Sequence, residues 1–167
     1  MEDTGIQQKS QAQESHGRVI RLFIPGIPRP GGSKRGFVNP RNGRVIITED
    51  CRKSKDWRTT CAQIASETFR TGPLDMALSV TFEFCLPRPK GHYGKHGVRP
   101  GAPRHPAVKP DCTKLVRSTE DALSKIAWRD DALIVQQVAS KHYAEQPGCW
   151  ITISEAVLGE KCLTQND

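Results

Sequence analysis

Along residues 18–26, RVIRLFIPG, apolar and polar side chains alternate with the period of two expected of a half-buried strand. The stretch before it, MEDTGIQQKSQAQESH, has almost no apolar residue and predicts a flexible tail over residues 1–17. GFVNPRNGRVIITED then sets two β-rich runs around Asn42-Gly43, a pair that supplies the positive φ angles of a tight turn. A short hairpin is expected at residues 36–48. With Thr48 or Asp50 as N-cap, Trp57, Cys61, Ile64, Ala65 and then Thr68 or Phe69 recur at helical spacing until Gly72-Pro73 stops the pattern. A first helix over roughly residues 50–70 follows.

ALSVTFEFCL (77–86) alternates as another half-buried strand, and ALIVQQVASKHYA and CWITISEAV give two more, joined at Gln146-Pro147-Gly148. Before these last two, a second helix is predicted from Pro110 to about Ala127, closed by no glycine cap. Its apolar face carries Leu115, Thr119, Ala122 and Ile126, with Val116 and Leu123 beside it, while Thr113, Arg117 and Glu120 line the other side. The order of elements predicts an α+β domain over residues 18–156, a small mixed sheet with two helices packed on one face, and a second tail at 157–167.

Lys and Arg outnumber Asp and Glu by 25 to 18, a net +7 that favours a polyanionic partner. The excess is concentrated. PRPKGHYGKHGVRPGAPRHPAVKP (87–110) holds six Lys or Arg and no acid, and at 24 residues it exceeds ordinary connections, so it is functional or disordered. Residues 17–48 hold seven more cations and again no acid. Phosphate backbones are gripped by such arms, which makes Arg29, Lys34, Arg35, Arg41, Arg44, Lys95, Arg99, Arg104, Lys109 and Lys114 the candidate DNA contacts. A merely solvated basic surface is the plain alternative. His92 and His96 read as surface histidines rather than metal ligands. Six cysteines far apart, with no C-x-x-C pair, read as reduced thiols. With neither a signal peptide nor a membrane-spanning run, the expectation is a cytoplasmic protein.

Against this background KPDCTKLVRSTEDALSKIAWRDDALI (109–134) gathers five acids. Alone, Asp111 would be an N-cap and Asp130-Asp131 a turn. Together, carboxylates from a helix start and a strand start beside a phosphate-binding surface suit Mg²⁺, which takes hard oxygen ligands and completes its shell with water and phosphate. Asp111 and Asp131 are the first candidate ligands, and Asp130, Glu120 and Thr113 the others.

The same segment resembles the signature of the RusA-type Holliday-junction resolvases: an Asp after proline or arginine, Asp two residues on, then Asn-Leu, a Lys, Asp-Ala-Leu, and an aromatic before Asp-Asp. The first catalytic Asp falls on Asp111, the Asp-Ala-Leu on Asp121, Ala122 and Leu123, the aromatic on Trp128, and the last catalytic Asp on Asp131. Arg117 holds the catalytic Lys position. Weaker similarity extends the match to roughly residues 18–155. The resemblance implies a small homodimeric, Mg²⁺-dependent endonuclease, often phage-encoded, that cuts four-way DNA junctions symmetrically on two strands.

Two positions depart from the signature: Thr113 replaces the second Asp and Lys114 the Asn. A hydroxyl coordinates Mg²⁺ more weakly than a carboxylate. Three readings stand: a junction-cutting nuclease, a catalytically weakened or inactive binder of branched DNA with the same fold, or a basic RNA- or protein-interaction module.

Overall fold

The computed structural model describes residues 19–31, 34–49 and 52–157, with the backbone alone at 34–37, 46–49, 52 and 53. The predicted tails thus lie outside the described residues, save Val157. In chain order the elements are β1 (Ile20–Pro25), β2 (Lys34–Val38), β3 (Val45–Glu49), α1 (Arg52–Thr68), β4 (Leu78–Leu86), β5 (Tyr93–Gly94), β6 (Gly97–Val98), α2 (Cys112–Leu123), β7 (Ile134–Tyr143) and β8 (Gly148–Glu155).

The fold is α+β. Four strands make a mixed sheet in the order β1-β8-β4-β7, with β7 parallel to β4 and the other neighbours antiparallel. Alternation sends Leu78, Val80, Phe82 and Phe84 of β4 to the same face as Leu22, Ile24, Ile151 and Ile153. That face is covered by Trp57, Cys61 and Ala65 of α1 and by Leu115, Val116 and Leu123 of α2, all buried. One polar contact crosses this core: the Trp57 indole N–H donates to Thr119 Oγ1 at 3.1 Å, and that hydroxyl donates to the Leu115 carbonyl at 3.0 Å. Both buried groups are thereby satisfied, and the two helices are tied together.

β2 and β3 form a separate ribbon joined through residues 39–44, where Gly43 takes the expected positive φ of +65° but Asn42 does not, so the turn is wider than the tight Asn42-Gly43 turn expected from the sequence. Strands β7 and β8, consecutive in the chain, are separated in space by β4. The second helix is shorter than its periodicity predicts, ending at Leu123 rather than near Ala127. Lys125 takes a positive φ of 69° and its N–H bonds the Trp128 carbonyl, so a lysine does here what a glycine usually does. Ile126 therefore follows the helix instead of extending its apolar face.

The basic segment 87–110 is folded rather than disordered. Arg88 donates to the Pro103 carbonyl at 2.7 Å, Arg99 Nε to the Tyr93 carbonyl at 3.1 Å, and Lys141 Nζ to the carbonyls of Val108 and Pro110 at 2.8 and 2.9 Å. His92, expected at the surface, is half-buried edge-on to the Tyr143 ring, 5.7 Å between centroids. Burial pushes the Cys61 thiol up to about 12, and raises Cys85 and Cys149 for the same reason. These cysteines act as small hydrophobes, not nucleophiles. No helix among the described residues is long and apolar enough to cross a membrane.

Gly148 tests the β1–β8 seam. A Cβ there would press on the Phe23 ring and lie 2.6 Å from the Ile24 carbonyl oxygen, a backbone atom that cannot move aside without breaking the ladder. Gly148→Ala is expected to cost about 1–3 kcal/mol, read as a lower urea midpoint with an unchanged slope.

Candidate active site

The motif acids fall at the two ends of α2. At its start Asp111 occupies the N-cap position with extended backbone, yet its side chain makes no capping bond. Instead it stands half-exposed with Lys114 Nζ 3.3 Å away, a weak pair in solvent. The carboxylate is thus not consumed by the helix. Thr113 and Arg117 are exposed on the same helix.

Past the other end of α2 the chain turns through Ser124–Asp130 into β7. Trp128 is wholly buried there, and its indole N–H donates to Asp131 Oδ1 at 2.7 Å. The aromatic of the signature thus holds the Asp that follows it. Asp130 is otherwise occupied: Oδ1 accepts from the Ala132 N–H at 3.0 Å and Oδ2 pairs with Lys125 at 3.1 Å. The Ala132 bond and then Lys125 hold its carboxyl below the usual carboxylate range. This acid therefore shapes the turn, which leaves Asp131 to the site.

Glu120, one turn before the end of α2, comes beside Asp131. Its Oε1 accepts from Gln137 Nε2 of β7 at 3.0 Å. Burial, then the negative charge of Asp131, pushes its carboxyl above the ordinary range, against the Gln137 bond that lowers it. Sequence reading places Glu120 on the polar face of the helix; that it meets Asp131 and Gln137 depends on how α2 lies over β7, which no local pattern encodes.

Asp111 does not join this pair. It precedes Glu120 by nine residues, about 13 Å along a helix axis at about 1.5 Å per residue. Among the described residues no three Asp, Glu, His or Cys side chains gather closely enough to hold a metal ion.

Of the candidate DNA contacts, Arg41 and Arg44 flank the exposed tip of the β2–β3 ribbon. Lys95, Arg99 and Arg104 are exposed on the folded segment. Arg29, Lys109 and Lys114 converge on a cavity beside Asp111. Lys34 and Arg35 lie on β2, where the side chains are outside the described residues.

A mixed sheet under two helices thus carries acids at both ends of the second helix and cations around them, an arrangement suited to a partner with phosphates. The chain belongs to the RusA endodeoxyribonuclease family, whose model matches residues 26–154. It is also similar to YqaN of Bacillus subtilis (strain 168), an uncharacterized protein, at 32% identity over 143 residues, covering 81% of this chain and 96% of that one.

The family implies a divalent cation, and the donor set of Glu120 and Asp131 fits one. Mg²⁺ is commonly held by one or two carboxylates, with substrate phosphates and water completing the shell. Two neighbouring carboxylates, Glu120 half-buried and Asp131 exposed, provide such an edge.

Glu120 yields a test without catalysis. Its folded-state pKa lies above the unfolded value, so ionising it costs stability as pH rises from the ordinary carboxylate range through the raised one, and the loss persists at neutral pH. In metal-free buffer Glu120→Gln is expected to raise Tm at pH 7 and to match the parent at pH 3. An unchanged or lower Tm at pH 7 speaks against a cost of ionising Glu120 from its burial and the nearby Asp131 charge.

Proposed function

We propose that this protein is a Mg²⁺-dependent, structure-selective endonuclease that cuts four-way DNA junctions by paired symmetric strand scission. The observation that carries the reading is that both motif acids are kept for chemistry: Asp111 uncapped at the start of α2, Asp131 pinned by a buried tryptophan at the foot of β7. Asp131 and Glu120 would hold the cation. Bound there, the cation would supply polarisation of the phosphate and a lowered pKa of a coordinated water. Arg117, exposed two turns into α2, replaces a lysine as the charge that meets the phosphate, with a planar bidentate head. The exposed cations of 87–110 and the β2–β3 tip grip the backbone without reading sequence.

The working species is a C₂ homodimer, since a four-way junction is nearly twofold and a paired cut needs two centres. β7 is an outer strand of the sheet, and its residues 135–140 are all exposed. Antiparallel pairing of two β7 edges sets the amino end of each beside the carboxyl end of the other. Asp131 stands at the amino end, and Asp111 beside the carboxyl end, where Lys141 bonds the Pro110 carbonyl. Such a dimer brings together the two acids that one chain holds apart.

Incubating the protein with labelled four-way junction, with Mg²⁺ or with EDTA, tests the reading; no cut with Mg²⁺ ends it. The second reading, a junction binder that does not cut, is favoured by Thr113 and Lys114. Thr113→Asp separates the two. In a nuclease it should lower the Mg²⁺ concentration that gives half-maximal cutting, and Thr113→Val should raise it. If neither the parent nor Thr113→Asp cuts, the binder reading prevails.

A further inference from the structure

A cavity of about 450 Å³ opens beside Asp111, where the carboxyl ends of the parallel strands β4 and β7 meet the start of α2. Its walls are apolar and stiff: Pro28, Pro87 and Pro106, the ends of both strands at Leu86 and Tyr143, and Val108. Tyr143 is itself clamped, with the Arg88 guanidinium 4.4 Å over its ring and the His92 ring perpendicular to it at 5.7 Å between centroids. Around this apolar floor stand Arg29, Lys109 and Lys114, three cations against one acid, Asp111, whose carboxylate lies 3.3 Å from Lys114 Nζ.

The volume falls within the range of small-ligand sites, and the outer carboxyl ends of parallel strands are where open sheets bind ligands. Such a lining suits a ligand that combines an apolar body with an anionic flank. A peptide strand is a poor occupant, because proline-rich walls lack the N–H donors that strand addition uses. A nucleotide supplies both parts, and bases at a branch point are the least costly to unstack.

Building on the branched-DNA reading above, we propose that this cavity receives an unpaired nucleobase from the branch point, with its flanking phosphates on Arg29, Lys109 and Lys114. The protein then recognises a junction partly by capturing a base that no continuous duplex offers. Base stacking on protein surfaces is worth about 5- to 150-fold in affinity per base.

Val108 is the place to test this, since it is exposed, lines the cavity, and engages the fold through its carbonyl rather than its side chain. Val108→Trp fills the cavity without altering charge. It is expected to weaken junction binding about 5- to 150-fold while leaving Tm, continuous-duplex affinity and the salt slope unchanged. Abasic nucleotides at the branch point should weaken the parent by a similar factor and Val108→Trp hardly further, because base and cavity act as one unit. Equal losses on duplex and junction, or additive losses on combining the two changes, overturn the proposal. If the parent shows no preference for junction over duplex, the junction reading fails, and the cavity is judged on single strands. There oligothymidylate should bind the parent better than its abasic counterpart and Val108→Trp should erase the difference; equal binding of the two strands by the parent rejects the cavity as a base site.

Discussion

Asp111→Asn and Asp131→Asn chains, each unable to cut a four-way junction, should regain a single-strand cut when mixed. Each substitution removes a carboxylate that a phosphodiester-cutting centre needs, and also a negative charge facing DNA. Cleavage should therefore fall to background while junction binding stays or tightens. The mixture adds a sharper expectation, because α2 sets Asp111 about 13 Å along its axis from Glu120, the acid beside Asp131. If each centre takes Asp111 from one chain and Asp131 from the other, a mixed dimer has one intact centre and one doubly deficient centre. It should nick one strand and fail to make the paired cut. If each centre lies within a single chain, every mixed dimer has two damaged centres and the mixture stays inactive. Loss of binding in step with cleavage would instead make these acids structural. A protein that sediments as a monomer while cutting fully would exclude the shared arrangement.

Trp128 carries the second large effect, because one side chain serves both core and site. It is fully buried, and its indole N–H reaches Asp131 at 2.7 Å. Trp128→Ala opens a cavity under the turn into β7 and is expected to cost about 3–5 kcal/mol, a large share of the roughly 5–15 kcal/mol that holds an ordinary domain together. Trp128→Phe separates the two duties. It keeps most of the packing but releases Asp131, so Tm should fall modestly while cleavage drops about 10- to 100-fold, the usual effect of losing a group that orients a ligand. If cleavage by the soluble Trp128→Phe protein matches the parent, the indole–carboxylate bond has no functional part.

Much of this molecule is written locally. Alternation along 77–86 and 149–157, the helical spacing of Trp57, Cys61 and Ala65, and the turn-forming Gly43 are properties of neighbouring residues, so the strands, α1 and the β2–β3 ribbon could be read from the chain. The spacing of Asp111, Asp121-Ala122-Leu123, Trp128 and Asp131 likewise points to the RusA family, whose model matches residues 26–154. Local pattern fails where a distant contact competes with it. Periodicity carries α2 on to Ala127, but the buried Trp128 and the backbone bonds of Ser124–Trp128 stop it at Leu123, and a lysine accepts the left-handed turn. Asp130 and Asp131 are neighbours of the same chemistry, and only the surroundings divide them: one is used by Ala132 and Lys125, the other by Trp128. The meeting of Glu120, Asp131 and Gln137, and the separation of Asp111 from them, follow from laying α2 across the parallel β4–β7 pair, a placement set by core packing between residues far apart in sequence. Which acids and cations the chain carries, and in what order, is local information; which of them share a site is not, because the side chains that bring them together lie on different elements and meet only when the core closes.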